Sequence, residues 1–236
     1  LSMSVLLFWG AFFEEPKDIE NKTSKKIINK KIEDTNDIIA PSINGNAKIN
    51  NISREESINK NGRIKIENNN IIGSISLKGG LIDDVSFKNH KQNIRDDKNI
   101  IFLNPQETED GFFIETGWTS IGNKIKVPSI NSIWSVIGNN ILRENNPITL
   151  QWDNGEGIIF KKKITLDNKY LFKISQIVEN KTINSIDLYP YAQITRNKIP
   201  DDIQNFYISH EGFIGVFNEE LKEDDYDDIK DKKIVR

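Results

Sequence analysis

Between Asn70 and His90 the chain reads NIIGSISLKGGLIDDVSFKNH, with two glycines dividing two stretches in which apolar and polar residues alternate. Ile75 and Leu77 point one way and Ser74, Ser76 and Lys78 the other; beyond the glycines, Leu81, Val85 and Phe87 form an apolar row against Asp84, Ser86 and Lys88. A period of two is the mark of a half-buried strand. Gly79-Gly80 is therefore read as a hairpin corner, because adjacent glycines accept the positive φ that tight turns demand. A dinucleotide-gripping loop would need G-x-G-x-x-G opening a helix, and no helical period follows.

From Pro147 the same pattern predicts a three-strand meander. ITLQW leads through Asp153-Asn154-Gly155-Glu156-Gly157 into IIFKKKITL, and Asp167-Asn168 leads into YLFKISQIVEN. Asn-Gly and Asp-Asn are turn chemistry. Ile158, Phe160, Ile164 and Leu166 share one face, as do Tyr170, Phe172, Ile174 and Val178 on the next strand. That face is assigned to the core, with Lys161, Lys163, Lys173 and Ser175 on the solvated side of a one-sided antiparallel sheet. IDLYPYAQITRN adds a strand with Ile186, Leu188, Ala192 and Ile194 in phase, and Pro190, lacking a ladder donor, places it at an edge or a bulge. Short alternating strands broken by Gly, Asn, Asp and Pro define an all-β sandwich.

Upstream the texture differs. Leu1 to Phe13, LSMSVLLFWGAFF, is apolar but shorter than the ~20 residues of a spanning helix. No small-x-small cleavage site follows it, and Trp9, Phe12 and Phe13 run into Glu14-Glu15-Pro16 as the interfacial end of an anchor would. A buried helix of a soluble protein is the plainer alternative. From Glu14 to about Gly62 the chain is rich in Lys, Asn, Glu and Asp without aromatic residues, too polar to offset the entropy of ordering. The expected organisation is thus residues 1–13 as the end of a transmembrane anchor, 14–61 as a flexible polar linker, and 62–236 as a β-sandwich domain.

Composition narrows the function. A net charge of -3 over 236 residues supplies no basic field, which sets nucleic acid aside as a partner. Without cysteine there is neither a disulfide frame nor a thiolate metal site. His90 and His210 lack the H-x-x-x-H spacing that would bring two imidazoles to one zinc. His210-Glu211 is the sharpest acid/base pair by composition, yet neighbours on a strand point to opposite faces. The acidic run Glu219, Glu220, Glu223, Asp224, Asp225, Asp227 and Asp228 lacks the glycine and ligand alternation of a calcium loop and is assigned to a solvated face. Trp118, Trp134 and Trp152 could line a sugar groove, but aromatics of this size more often fill a sandwich core. Neither a G-x-S-x-G elbow nor a Walker loop occurs. No catalytic, cofactor or metal residue is assigned.

The strand blocks carry a resemblance as well. KGGLIDDVSFKNH (Lys78 to His90), GWTS (Gly117 to Ser120), ITLQWDNGEGIIFKKKI (Ile148 to Ile164), ISQIVENK (Ile174 to Lys181), YPYAQITRN (Tyr189 to Asn197) and HEGFIGV (His210 to Val216) resemble, in the same order, the large periplasmic domain of the YidC membrane protein insertases of Gram-negative bacteria. LLFWGAFFEEP is similar to the exit of that family's first membrane helix. The resemblance implies a β-supersandwich like that of galactose-mutarotase-type sugar-binding domains, held on the periplasmic face of the inner membrane. It implies a function in inserting and folding membrane proteins, alone or beside the Sec translocase, with Sec components and nascent membrane proteins as partners. In that family a C-terminal bundle of membrane helices carries the insertion chemistry. On this reading the sequence is a fragment bounded by Leu1 and Arg236, and the domain supplies contact surface without covalent chemistry. The competing expectation, from the enzyme class, is a sugar-binding or aldose-epimerase-like sandwich resting on the tryptophans, His210 and Glu211; a lipoprotein-like scaffold would need a lipidation cysteine.

Overall fold

The computed structural model describes residues 52–60, 62–95, 97–121, 124–200 and 210–232. The apolar start and nearly all of the polar linker lie outside the described residues. Helix α1 (Arg54–Lys60) opens the described chain. Its first turn is capped by Ser53, whose hydroxyl accepts the Glu56 amide at 3.1 Å, and Glu55 and Glu56 occupy the positive first turn. Ser57 is buried and Arg54 pairs with Asp84. The end of the stretch that composition assigns to the linker is thereby part of the folded unit.

Strands follow in sequence: β1 (Arg63–Glu67), β2 (Ile71–Ser76), β3 (Leu81–Lys91), β4 (Asn99–Leu103), β5 (Phe112–Thr119), β6 (Ser135–Ile137), β7 (Ile141–Leu142), β8 (Ile148–Asp153), β9 (Ile158–Leu166), β10 (Phe172–Asn180), β11 (Tyr189–Arg196), β12 (Gly212–Phe217) and β13 (Glu220–Asp225), before a closing helix α2 (Tyr226–Lys232). One sheet of seven strands runs β11-β5-β3-β2-β1-β7, with β4 beside β3; a second of four runs β10-β9-β8-β6; β12 and β13 form a separate hairpin. The β1–β7 pair is parallel, and the other strand pairs are antiparallel.

The two large sheets share one core. Ile64, Ile66, Ile71, Ile75, Ile82, Val85 and Trp118 from the first meet Ile148, Leu150, Ile158, Phe160, Ile164 and Leu166 from the second. Trp118 sits against Phe160 across the layers with ring centroids 5.1 Å apart. This is the all-β sandwich that the period of two predicts, and the meander is present as β8, β9 and β10 in consecutive contact. Its turns are closed as expected: the buried Asn154 carboxamide oxygen accepts the amides of Glu156 and Ile158, and the Asp167 carboxylate those of Lys169 and Leu171.

Four local expectations change. Tyr170, expected on the core face, precedes β10 and stays 44% exposed, because the turn after Asp167 occupies its position. Gly79 and Gly80 do adopt positive φ, 75° and 62°, but the connection spans four residues, Leu77 to Gly80, with Lys78 bridged to Ile133. The alternation in β3 is broken by a bulge: Ser74 pairs with Asp84 and Ile75 with Ile82, so Asp83 is the extra residue, and Ile82 enters the core cluster in place of Leu81. In β11, an edge strand as Pro190 requires, Ile186 and Leu188 pack inward ahead of the strand while Ala192 and Ile194 are exposed. Ile194 pairs with Ile114 and therefore lies on the core-facing side, but at the margin of the sheet, where it stays 50% exposed.

A candidate contact surface

Position 162 breaks the pattern that organises β9. Lys162 falls in phase with Phe160 and Ile164, pairs with Leu150 on one neighbour and Gln176 on the other, and is 1% exposed. Its ammonium donates to the carbonyls of Gly79 and Gly80, both at 3.3 Å, and stands 4.6 Å from the centre of the Trp134 ring. The positive φ of the two glycines turns these carbonyls toward the lysine, and a side chain on Gly80 would run into Trp134 and Lys162. Burial pulls the ammonium down to about 8, opposed by the Glu115 carboxylate. Glu115, itself buried, accepts from the Tyr191 hydroxyl at 2.5 Å, and Tyr191 is pushed up first by burial and then by that bond. The glycine corner thus serves as the acceptor for a buried cation from the opposite sheet. Lys162 is not among the residues that the sequence singles out; its even number among Ile158, Phe160, Ile164 and Leu166 was the available signal.

On β2 and β3 a second charged group is buried. Arg63 donates to the Ser74 hydroxyl at 2.7 Å and pairs with Asp83, while Arg54 pairs with Asp84, which also accepts from Ser74 at 2.6 Å. Burial pushes the Asp83 carboxyl up to about 6 against the pull of Arg63. Each carboxylate is matched by one guanidinium, an arrangement that fastens the bulge and α1.

The candidate residues named from the sequence scatter. His210 pairs through Nδ1 with Asp225 at 2.9 Å, whereas Glu211 contributes its carbonyl to the Tyr226 amide. His90 is exposed and lies against Phe87 and Tyr170. Among the described residues no three His, Asp or Glu side chains are grouped as a metal site. The acidic run divides among the β12–β13 turn, which holds Glu219, strand β13 and the first turn of α2. Trp118 and Trp134 are buried at 3% and 2%, closed to a sugar ring, and Trp152 is half-buried against Phe160.

Among the described residues an aromatic ladder runs from the surface into the core margin. Tyr170 stands edge-on to Phe87 at 5.6 Å, Phe87 contacts Phe102 at 5.3 Å, Phe102 contacts Phe112 at 5.7 Å, and the Arg196 guanidinium lies over Phe112 at 4.8 Å. Phe102 and Tyr170 remain 47% and 44% exposed, and Leu171 beside them 67%. Chemically such a surface binds apolar or aromatic groups by contact.

The described residues form a two-layer β-sandwich in which buried Lys162, Asp83 and Asp84 each have internal partners and apolar side chains such as Phe102, Tyr170 and Leu171 remain exposed. The model of the YidC periplasmic domain matches residues 63–236, and the chain belongs to that family. It is 40% identical over its whole length to the membrane protein insertase YidC of Pelagibacter ubique, covering 41% of that protein. It is 37% identical over 77% of its length to that of a Jannaschia species, and 30% identical over 97% to that of Cereibacter sphaeroides, covering 29% and 36% of those proteins. The chain therefore spans well under half of these relatives.

Proposed function

We propose that this chain is the periplasmic part of a membrane protein insertase, on the outer side of a bacterial inner membrane, and that it acts by contact without covalent chemistry. The carrying observation is the family match across residues 63–236, together with relatives named as insertases along the whole length. Residues 1–13 would end a membrane anchor, 14–61 would form the tether, and the sandwich would follow, although helix α1 shortens the tether from its C-terminal end. Its partners on this reading are Sec translocase components and membrane proteins emerging for insertion, met by exposed apolar surface such as Phe102, Tyr170 and Leu171.

The test is made in cells depleted of their own insertase and supplied with the gene that encodes this chain within its full reading frame. Growth and insertion of inner-membrane reporter proteins are expected, with the chain digested by protease added to spheroplasts. Recovery of the chain as a soluble cytoplasmic protein, or failure of the gene to restore insertion, overturns the reading. The sugar-enzyme alternative loses two of its three tryptophan platforms to the core; accelerated mutarotation of glucose that is abolished by His210→Ala would reinstate it.

A further inference from the structure

We propose that Asn154-Gly155, at the corner between β8 and β9, is a site of spontaneous deamidation that folding holds shut, so that an isoaspartyl link at 154 marks a chain whose corner has opened. The chemistry needs only this dipeptide and water. The Gly155 backbone nitrogen attacks the Asn154 side-chain carbon Cγ, a C–N bond forms, and the carboxamide nitrogen leaves as ammonia, taking up the proton that the Gly155 amide gives away. Water then opens the succinimide ring. Addition at Cγ yields aspartate in an ordinary chain, whereas addition at the main-chain carbonyl of residue 154 yields the isoaspartyl link, in which the backbone runs through Cβ. Glycine after the asparagine carries no side chain to shield the attacking nitrogen. The sequence holds this dipeptide at Asn44-Gly45, Asn61-Gly62 and Asn154-Gly155, and the last lies wholly among the described residues.

Each group that must move in this reaction is engaged. Gly155 N–H donates to the Asp153 carboxylate at 2.8 Å, which ties the attacking nitrogen to a partner other than Cγ. The Asn154 carboxamide oxygen accepts the amides of Glu156 at 2.7 Å and Ile158 at 3.0 Å, and its nitrogen donates to the Lys126 carbonyl at 3.4 Å, so the plane of the group is fixed. Asn154 N–H closes the corner on the Ile158 carbonyl at 3.1 Å. A Cβ added at Gly155, whose φ is 77°, would meet no atom within 4 Å, so crowding around the glycine does not supply the protection. The hydrogen bonds and the burial of Asn154 supply it, and it lasts only while they hold. Neither product fits the closed corner. An isoaspartyl link adds a methylene carbon to the main chain beside the Asp153–Ile159 and Trp152–Phe160 pairs, and ordinary aspartate turns an acceptor toward the Lys126 carbonyl and buries a charge.

The experiment is peptide mapping of the purified chain during incubation at mildly alkaline pH, folded in buffer and unfolded in guanidinium chloride, with asparagine, aspartate and isoaspartate at 154 separated by chromatography. Deamidation is expected to run at least about tenfold slower in the folded chain, because only its opened fraction reacts. Asp153→Ala, at an exposed position, frees the Gly155 N–H and should speed the folded chain several-fold more than the unfolded one. Hydrogen exchange of the Glu156 and Ile158 amides should accelerate in step, since one opening exposes both. A folded chain that deamidates at 154 as fast as the unfolded one overturns the proposal; the two N–H donors on the carboxamide oxygen and the carboxylate on Gly155 N–H would then be assisting the attack. A folded rate that stays constant while those two amides exchange faster overturns it as well.

Discussion

Lys162 is held charged in a dry interior by two carbonyls and an indole face, and its ammonium is pulled down to about 8. A lysine that deprotonates more readily folded than unfolded leaves the unfolded state binding more protons between pH 8 and its ordinary value of 10.5. Stability from this group therefore rises with pH across that window, by an upper limit of about 3 kcal/mol. Above pH 10 Tyr191 works the other way, since its raised value lets the unfolded state ionise first. Denaturant unfolding between pH 7.5 and 10 should show the rise in the unaltered chain and lose it in Lys162→Met. Close approach matters as much at Gly117, where a Cβ would lie 2.6 Å from the Tyr191 hydroxyl oxygen. Gly117→Ala should cost roughly 2 kcal/mol or more, as overpacking does. The cost should shrink sharply in a Tyr191→Ala background, a coupling that a double-mutant cycle would measure.

Among the elements, α1 shows how a short helix is retained by what it neutralises. Seven residues are too few for helical stability in isolation. Arg54 supplies the cation for buried Asp84, and Lys60 reaches Glu107 at 3.3 Å on the loop between β4 and β5. Arg54→Ala should cost roughly 3 kcal/mol in equilibrium unfolding, because one partner of a largely buried pair is stranded. Lys60→Ala should cost under about 1 kcal/mol, because that pair is more exposed. The N-cap residue Ser53, followed by Glu55 and Glu56, is the one trace of this helix in a stretch otherwise polar enough to read as linker. Its anchoring was not legible, because Asp84 lies 30 residues away. The bulge at Ser74/Ile75 is of the same kind: alternation marks Asp83 and Asp84 as neighbours in a strand, and only the pairing of β2 with β3 makes one of them the extra residue.

At the scale of the molecule, the sandwich and the hairpin β12–β13 have different means of support. The hairpin exposes Ile214, Val216, Phe217 and Leu221 at 58% or more and, among the described residues, pairs with neither large sheet, while β9 lies between β8 and β10. Hydrogen exchange should release the amides of β12 and β13 well before those of β9, as elements with few buried apolar contacts open first. Equal protection would show that the hairpin opens only with the whole domain. The sequence by itself determined the all-β class, the strands on either side of Gly79-Gly80, the β8–β9–β10 meander with its turns, and the family, because a two-residue period and turn chemistry act over a few neighbouring positions. Tertiary structure alone decided that a lysine in the apolar phase is satisfied by glycine carbonyls 82 and 83 residues away. It also decided that Ile194 faces the core side yet stays exposed at a margin. Those outcomes depend on which strands become neighbours and how far one sheet overlaps the other, and side-chain alternation within a single strand carries neither.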